Sequence, residues 1–119
     1  MDDLRSYKTV QKWIEVNKPT AVMPMPVNMD EKIDLLGQYL KIIDLDPDTF
    51  VETSSDWVEG GTKRRNDYLK ELKRWVRSLD LSSGEATRVE NTIRGFLISN
   101  SIKVKTKPYE DVHNPSARS

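Results

Sequence analysis

The chain has 119 residues, a length typical of one domain with a single modest core. Its 36% hydrophobic and 32% charged residues exclude a compositionally disordered chain, and the absence of cysteine excludes disulfides, thiolate metal sites and cysteine nucleophiles. No apolar run approaches the roughly 20 residues that span a bilayer, and the start Met1-Asp2-Asp3 is unlike a signal peptide. We therefore expect a cytoplasmic protein with no membrane partner.

The charge is neutral overall but divided along the sequence. Residues 1–60 hold 6 Lys/Arg and 12 Asp/Glu, whereas residues 61–119 hold 13 and 7. Six basic residues of the second half lie close together: Arg64, Arg65, Lys70, Lys73, Arg74 and Arg77. A helix places the last four on one face, which indicates an electrostatic site with nucleic acid as the commonest partner. A solvated helix surface is the alternative, and charge alone favours it.

Apolar spacing predicts helices in chain order. The first carries an apolar stripe from Leu4 to Ile14, and the Pro-rich residues 18–28 that follow cannot stay helical because proline lacks an amide proton. A second helix is predicted over residues 29–43. The pair Asp46-Pro47, an N-cap followed by proline at the first helical position, opens a short third helix.

A loop over residues 53–62 is expected to fold Trp57 back onto the core. The longest helix is then predicted over 65–79, with its basic stripe largely opposite its apolar face. The pattern Ser82-Ser83-Gly84-Glu85 predicts a capping box, in which serine accepts from the N3 amide and Glu85 reaches back to the cap.

The helix that follows is predicted over residues 83–99. Asn100 is expected as its left-handed C-cap, and Ile102 is expected to pack back across the turn. The fold class is therefore all-α, a small orthogonal bundle of four to five helices. We divide the chain into an N-terminal helix with a Pro-rich linker (1–28), a helical core domain (29–102) and a basic linker with a polar tail (103–119).

No catalytic, metal or cofactor motif stands out. His113 is the only histidine and lies in the polar tail, so a Ser-His-Asp or Cys-His site cannot be built in the predicted helices. Gly60-Gly61 followed by Lys63 is too short for a phosphate-binding glycine loop. We expect no cofactor and no catalysis by this chain alone.

A calcium loop is also excluded. Asp44, Asp46 and Asp48 resemble its first three ligands, but Thr49 stands at the obligatory glycine position and Ser55 at the bidentate glutamate position. Helix capping explains these aspartates, and no metal site is expected.

The outer face of the 83–99 helix carries the side chains that a groove-reading helix uses. Thr87, Arg88, Asn91 and Arg94 are expected on or near that exposed face. Arginine can bridge phosphates or bind a guanine edge, asparagine can bind adenine and threonine can hold a phosphate. An ordinary polar helix face is the alternative.

The segment from Leu81 to Leu97, Leu-Ser-Ser-Gly-Glu-Ala-Thr-Arg-Val-Glu-Asn-Thr-Ile-Arg-Gly-Phe-Leu, resembles the last helix of the core-binding domain of tyrosine recombinases and phage-type integrases. That family's helix opens Leu-Ser-Pro and closes on an Ile-Arg-Ser-Phe-Phe-like segment. The exit Asn100 to Lys105 is similar to that of archaeal members, and the upstream order of helices extends the resemblance over roughly residues 8–107. Glu85 and Glu90 depart from the family pattern.

The resemblance implies a SAM-like bundle that forms half of a C-shaped clamp around double-stranded DNA. A separate C-terminal domain would carry the tyrosine nucleophile, and its catalytic residues are missing from this chain. Oligomerisation on the DNA is a further expectation. The predicted DNA-contact residues combine the basic stripe, the polar face of the 83–99 helix and the lysines of the exit that the resemblance places along the DNA: Arg64, Arg65, Lys70, Lys73, Arg74, Arg77, Thr87, Arg88, Asn91, Arg94, Lys103 and Lys105.

The alternative is a protein-interaction module. Its acidic N-terminal half would dock on a basic partner or on another copy of the chain, because the divided charge makes head-to-tail self-association physically reasonable.

Overall fold

A computed structural model describes residues 4–18 and 28–104 of the chain. These residues form a short 3-10 turn (Leu4–Ser6) and five α-helices. The helices are α1 (Lys8–Val16), α2 (Met29–Ile43), α3 (Pro47–Ser54), α4 (Gly61–Ser78) and α5 (Ser83–Ser99). No strand occurs in the described ranges, so the predicted all-α class is confirmed. None of the described helices has the length and apolar character needed to cross a membrane. The predictions for the Pro-rich segment beyond Lys18, for Lys105 and for His113 lie outside the described residues.

Side chains cap three of the helices at their N-termini. The Asn28 side chain accepts from the Glu31 amide at the start of α2, at 3.2 Å. Asp46 accepts from the Thr49 amide at 2.7 Å, which confirms the predicted cap of α3. At α5, Ser82 Oγ accepts from the Glu85 amide at 3.3 Å as predicted. The second half of the predicted capping box is wrong, because the Glu85 carboxylate accepts from Arg88 instead.

The end of α5 differs from the prediction in one residue. Ser101, with φ 69°, is the left-handed residue, whereas Asn100 has φ −104°. The Asn100 side chain donates instead to the carbonyl oxygens of Phe96 (2.9 Å) and of Thr9 (3.1 Å), so it joins α5 to α1. Ile102 is buried beside this turn, as predicted.

One aromatic side chain from each α-helix forms a continuous series through the core. In spatial order the five rings are those of Trp13, Phe96, Phe50, Tyr39 and Trp75. Neighbouring ring centroids lie 5.2, 6.0, 5.8 and 5.6 Å apart along this series. Phe50 and Phe96 are stacked at 10°, while Trp13 meets Phe96 edge to face. These separations are those at which aromatic pairs attract beyond their buried area.

The first helix belongs to this core. Val10 and Trp13 are fully buried, and Thr9 Oγ1 donates to the Asp48 carboxylate of α3 at 2.6 Å. The predicted boundary at residue 28 set α1 apart from the core domain, because a Pro-rich segment separates the two in the sequence. The packing of α1 on the core was therefore not predicted. A long insertion costs little entropy once the two sides share a core.

Phe96 occupies two contacts of the aromatic series, so its removal tests the core. We expect Phe96→Ala to lower the free energy of unfolding by about 3–5 kcal/mol, whereas Ile98→Ala, a half-exposed control on the same helix, changes it by about 0.5 kcal/mol or less. Urea denaturation followed by circular dichroism measures both values. Equal losses in the two variants would contradict the assignment of Phe96 to the core.

Candidate nucleic-acid interface

The solvent face of α4 carries a row of cations. Leu72, Trp75 and Val76 occupy its opposite, buried face. The row, here called the basic row, consists of Lys63, Lys70, Lys73 and Arg77, all exposed. Among the described residues, no carboxylate oxygen lies within 4.0 Å of these four side-chain nitrogens. The basic row therefore offers its positive charge to solvent.

Arg74 lies on the same side of α4 but has a protein partner. Its guanidinium pairs with the Glu71 carboxylate one turn earlier, and 75% of the Arg74 side chain remains exposed. Exposed ion pairs of this kind contribute little free energy. A phosphate can therefore compete for Arg74 at small cost.

A groove of about 310 Å³ lies between α4 and α5. Its lining consists of Asn66, Leu69, Lys70, Lys73 and Arg94. Two members of the basic row thus border this groove from the α4 side. The groove joins the basic row to the surface of α5.

Arg94 is buried, so the expectation that it lies on the exposed face of α5 is wrong. Its side chain is 9% exposed and donates to Glu90 at 3.3 Å, one turn earlier on the same helix. Because Ile93 and Phe96 point into the core, positions 90 and 94 turn toward α4. Glu90 compensates the charge of Arg94 there.

Thr87, Arg88 and Asn91 lie on one side of α5, where Arg88 is exposed and Thr87 and Asn91 are half-buried. The Thr87 hydroxyl donates to the Ser83 carbonyl at 2.9 Å, and Arg88 is held by two carboxylates. Its guanidinium donates to Glu31 of α2 at 2.6 Å and to Glu85 at 2.9 Å. These two hydrogen bonds raise the pKa of Arg88. A base contact by Arg88 requires the release of at least one carboxylate.

Arg64 and Arg65 have a role that the sequence did not predict. Arg64 donates to the carbonyl oxygens of Thr53 (3.1 Å) and Glu59 (2.8 Å). Arg65 donates to the Ser54 carbonyl (2.9 Å) and to the Asp56 carboxylate (2.8 Å), and its side chain is only 11% exposed. Both arginines therefore fix the connection between α3 and α4 rather than extend the basic row.

This connection, residues 55–60 and here called the Trp57 loop, presents its tryptophan to solvent. Trp57 is 71% exposed, so the expectation that it folds onto the core is wrong. The loop backbone packs tightly on α4, because a Cβ at Gly61 would lie 1.8 Å from the Ser55 carbonyl oxygen. Gly60 completes the turn with φ 75°. In the sequence, this arrangement could have been recognised from Gly60-Gly61, with Arg64 and Arg65 one turn later.

Lys103 lies at the same end of the bundle as the Trp57 loop. It is exposed, and its charge helps to lower the pKa of Asp56, after the larger effects of hydrogen bonds from Arg65 and Thr62. Lys103 is therefore close to the start of α4. Its predicted companion Lys105 lies outside the described residues.

Comparisons with known proteins add no relative. The chain matches no protein-family model, no curated protein and no solved structure.

The pH dependence of stability tests the contacts within the Trp57 loop. Because hydrogen bonds from Arg65 and Thr62 lower the pKa of Asp56, its stabilising effect is complete above the ordinary value of 3.8 and is lost as the pH falls through the lowered one. We expect Asp56→Asn to lower the melting temperature by a constant amount between about pH 5 and 8, and by less below about pH 4. Thermal unfolding followed by circular dichroism measures this difference. A difference that stays constant down to about pH 2 would contradict the assignment.

Proposed function

We propose that the chain binds double-stranded DNA through the basic row of α4 and the adjoining outer face of α5. The observation that carries this proposal is that the basic row projects four cations from one helix face without an ion-pair partner among the described residues. Cations arranged in this way release counterions when they meet phosphates, which is the main source of sequence-independent affinity for DNA.

The length of the basic row suits a duplex. From Lys63 to Arg77 the helix rises by about 21 Å, at roughly 1.5 Å per residue. The major groove of B-DNA is about 12 Å wide. The basic row is therefore long enough to contact phosphates on both sides of a major groove, with Lys70 and Lys73 near its middle.

The outer face of α5 supplies side chains for base contacts. Asn91 can accept from and donate to adenine, Arg88 can donate twice to guanine, and Thr87 can hold a phosphate. Glu31 and Glu85 restrain Arg88 in the absence of DNA. Arg88 would therefore contact a base only where the hydrogen bonds gained there are stronger than those lost to Glu31 and Glu85. Guanine, which accepts two hydrogen bonds from one arginine, is the base that meets this condition best.

Three of the expected contacts are left out of this proposal. Arg64, Arg65 and Arg94 donate their hydrogen bonds within the protein. Arg74 and Lys103 stay in the proposed set because both are exposed, and Lys105 stays as a prediction from the sequence.

We further propose that the bundle is the SAM-like core-binding domain of a tyrosine recombinase. The resemblance of the α5 segment supports this assignment, and the all-helical architecture agrees with it. Strand cleavage would then belong to a separate C-terminal domain, and the role of this chain would be to clamp the recombination site. Oligomerisation would occur on the DNA.

If the basic row contacts phosphates, the affinity for duplex DNA should fall with salt, and Lys70 and Lys73 should account for much of that dependence. We expect Lys70→Ala/Lys73→Ala to weaken binding to every duplex and to reduce the log–log salt slope by about 2, because each phosphate contact contributes about 0.9. Lys8→Ala/Lys12→Ala, two exposed lysines of α1, is the matched control and leaves the slope unchanged. Fluorescence anisotropy with labelled duplexes between about 50 and 200 mM salt measures the slopes. Affinity that does not depend on salt, or equal losses in the two double variants, would contradict the proposal.

If α5 contacts bases, its variants should lose discrimination among DNA sequences rather than affinity for all of them. We expect Asn91→Ala or Arg88→Ala to reduce discrimination among duplex sequences, by about 1–3 kcal/mol at the contacted base pair. Arg74→Ala is the comparison, because loss of a phosphate contact weakens all sequences alike. Selection from a randomised duplex library, followed by affinity measurements on the selected sites, separates the two effects. Uniform weakening by all three variants would remove the base-reading role of α5.

A further inference from the structure

Arg88 is held between carboxylates that come from two different helices. Its Nη1 donates to Glu31 of α2 at 2.6 Å, and its Nη2 donates to Glu85 of α5 at 2.9 Å. Glu85 lies one turn before Arg88, whereas Glu31 is 57 residues away in the sequence. The position of the guanidinium is therefore determined by the packing of α2 on α5 and not by α5 alone.

The two carboxylates cancel the positive charge that Arg88 would otherwise present. Lys32, which follows Glu31, lies near enough for its charge to interact with that of Arg88: burial first, and then Arg88, lower the pKa of Lys32. Its ammonium brings the two carboxylates and the guanidinium to neutrality, and Asp30 beside them is paired with Arg5. The surface around Arg88 therefore offers a phosphate no net positive charge, in contrast to the basic row.

The helix dipole explains part of this arrangement but not all of it. Glu31 and Glu85 each lie in the first turn of their helix, where a carboxylate is favourable. That position does not require both carboxylates to meet on one guanidinium. The side chains of Arg88, Glu31 and Glu85 are 45%, 46% and 53% exposed, and exposed ion pairs contribute little to stability. The convergence on Arg88 is therefore better explained by an effect on what Arg88 can bind.

A neutral base and a charged phosphate meet this group differently. Either one can accept from Arg88 only after one carboxylate is released, and the released carboxylate stays nearby on its helix. The acceptors of guanine carry no net charge, so the carboxylates do not repel them. A phosphate brings a further negative charge to the same guanidinium, and both carboxylates repel it.

We propose that Glu31 is a specificity-determining residue of the DNA surface, which together with Glu85 prevents Arg88 from binding phosphates of any sequence. This inference rests on the proposed function of the basic row and α5. Specificity is a difference between two affinities, so a group that repels the wrong ligand increases it as a better contact with the right ligand does. Phosphate binding is then left to the basic row, and Arg88 is reserved for a base.

Glu31→Gln tests the proposal, because it removes the charge and keeps the size of the side chain. We expect it to tighten binding to duplexes of random sequence by about tenfold at about 50 mM salt and to steepen the log–log salt slope by about 0.9, since Arg88 becomes one further phosphate contact. Duplexes selected by the natural chain should gain less, because Arg88 already contacts a base there. Discrimination between the two kinds of duplex should therefore fall severalfold. Glu85→Gln should act in the same direction from the other helix.

Two further variants separate this effect from a general loss of negative charge. Asp34→Asn removes a carboxylate from the same helix, but Asp34 accepts from Gln38 at 3.0 Å rather than from Arg88. It should leave the salt slope and the discrimination unchanged. Glu31→Gln/Arg88→Ala should bind with the affinity and slope of Arg88→Ala, because the gain requires the guanidinium. Fluorescence anisotropy between about 50 and 200 mM salt measures all of these values.

Unchanged affinity for random duplexes and an unchanged salt slope in Glu31→Gln would overturn the proposal. Equal tightening of random and selected duplexes would also overturn it, as would a gain that persists without Arg88 or a natural chain that selects no sequence. The slope lost in Lys70→Ala/Lys73→Ala tests duplex binding by the basic row separately. Binding that depends on those lysines but not on Glu31 would refute this proposal alone, whereas a natural chain that binds no duplex would refute the proposed function itself.

Discussion

The ring series from Trp13 through Phe96, Phe50 and Tyr39 to Trp75 determines which face of every helix points inward. Each ring comes from a different α-helix, so a single set of contacts orients all five. Once Trp75 is buried, the 3.6-residue period places the basic row of α4 in solvent. Once Phe96 is buried, Asn91 and Thr87 lie toward the outside of α5. The proposed DNA surface is therefore a consequence of the aromatic core.

The sequence was sufficient wherever local periodicity and capping determine structure, and insufficient where partners lie far apart in the chain. Apolar spacing predicted α2, and the pair Asp46-Pro47 predicted the start of α3, because helix period and N-capping involve only neighbouring residues. Trp57 was placed wrongly because hydrophobicity alone favours burial, whereas Arg64 and Arg65 hold its loop in place. Arg94 was placed wrongly because its partner Glu90 makes burial tolerable.

The arginines and lysines of α4 divide into two groups with different tasks. Arg64 and Arg65 bond to backbone carbonyl oxygens, for which a planar guanidinium with several donors is well suited. Lys63, Lys70 and Lys73 project as compact charges, which suits phosphates at varying positions. One helix thus supports both the proposed DNA surface and the loop that presents Trp57.

Mapping the DNA contact residue by residue tests the central claim most directly. Amide chemical shifts of the ¹⁵N-labelled chain would be followed while a duplex is added at low salt. The account predicts shifts concentrated between residues 63 and 77 of α4 and between residues 87 and 91 of α5, with α1 and α3 nearly unchanged. Shifts concentrated on α1 or α3, or no shifts at all, would contradict it.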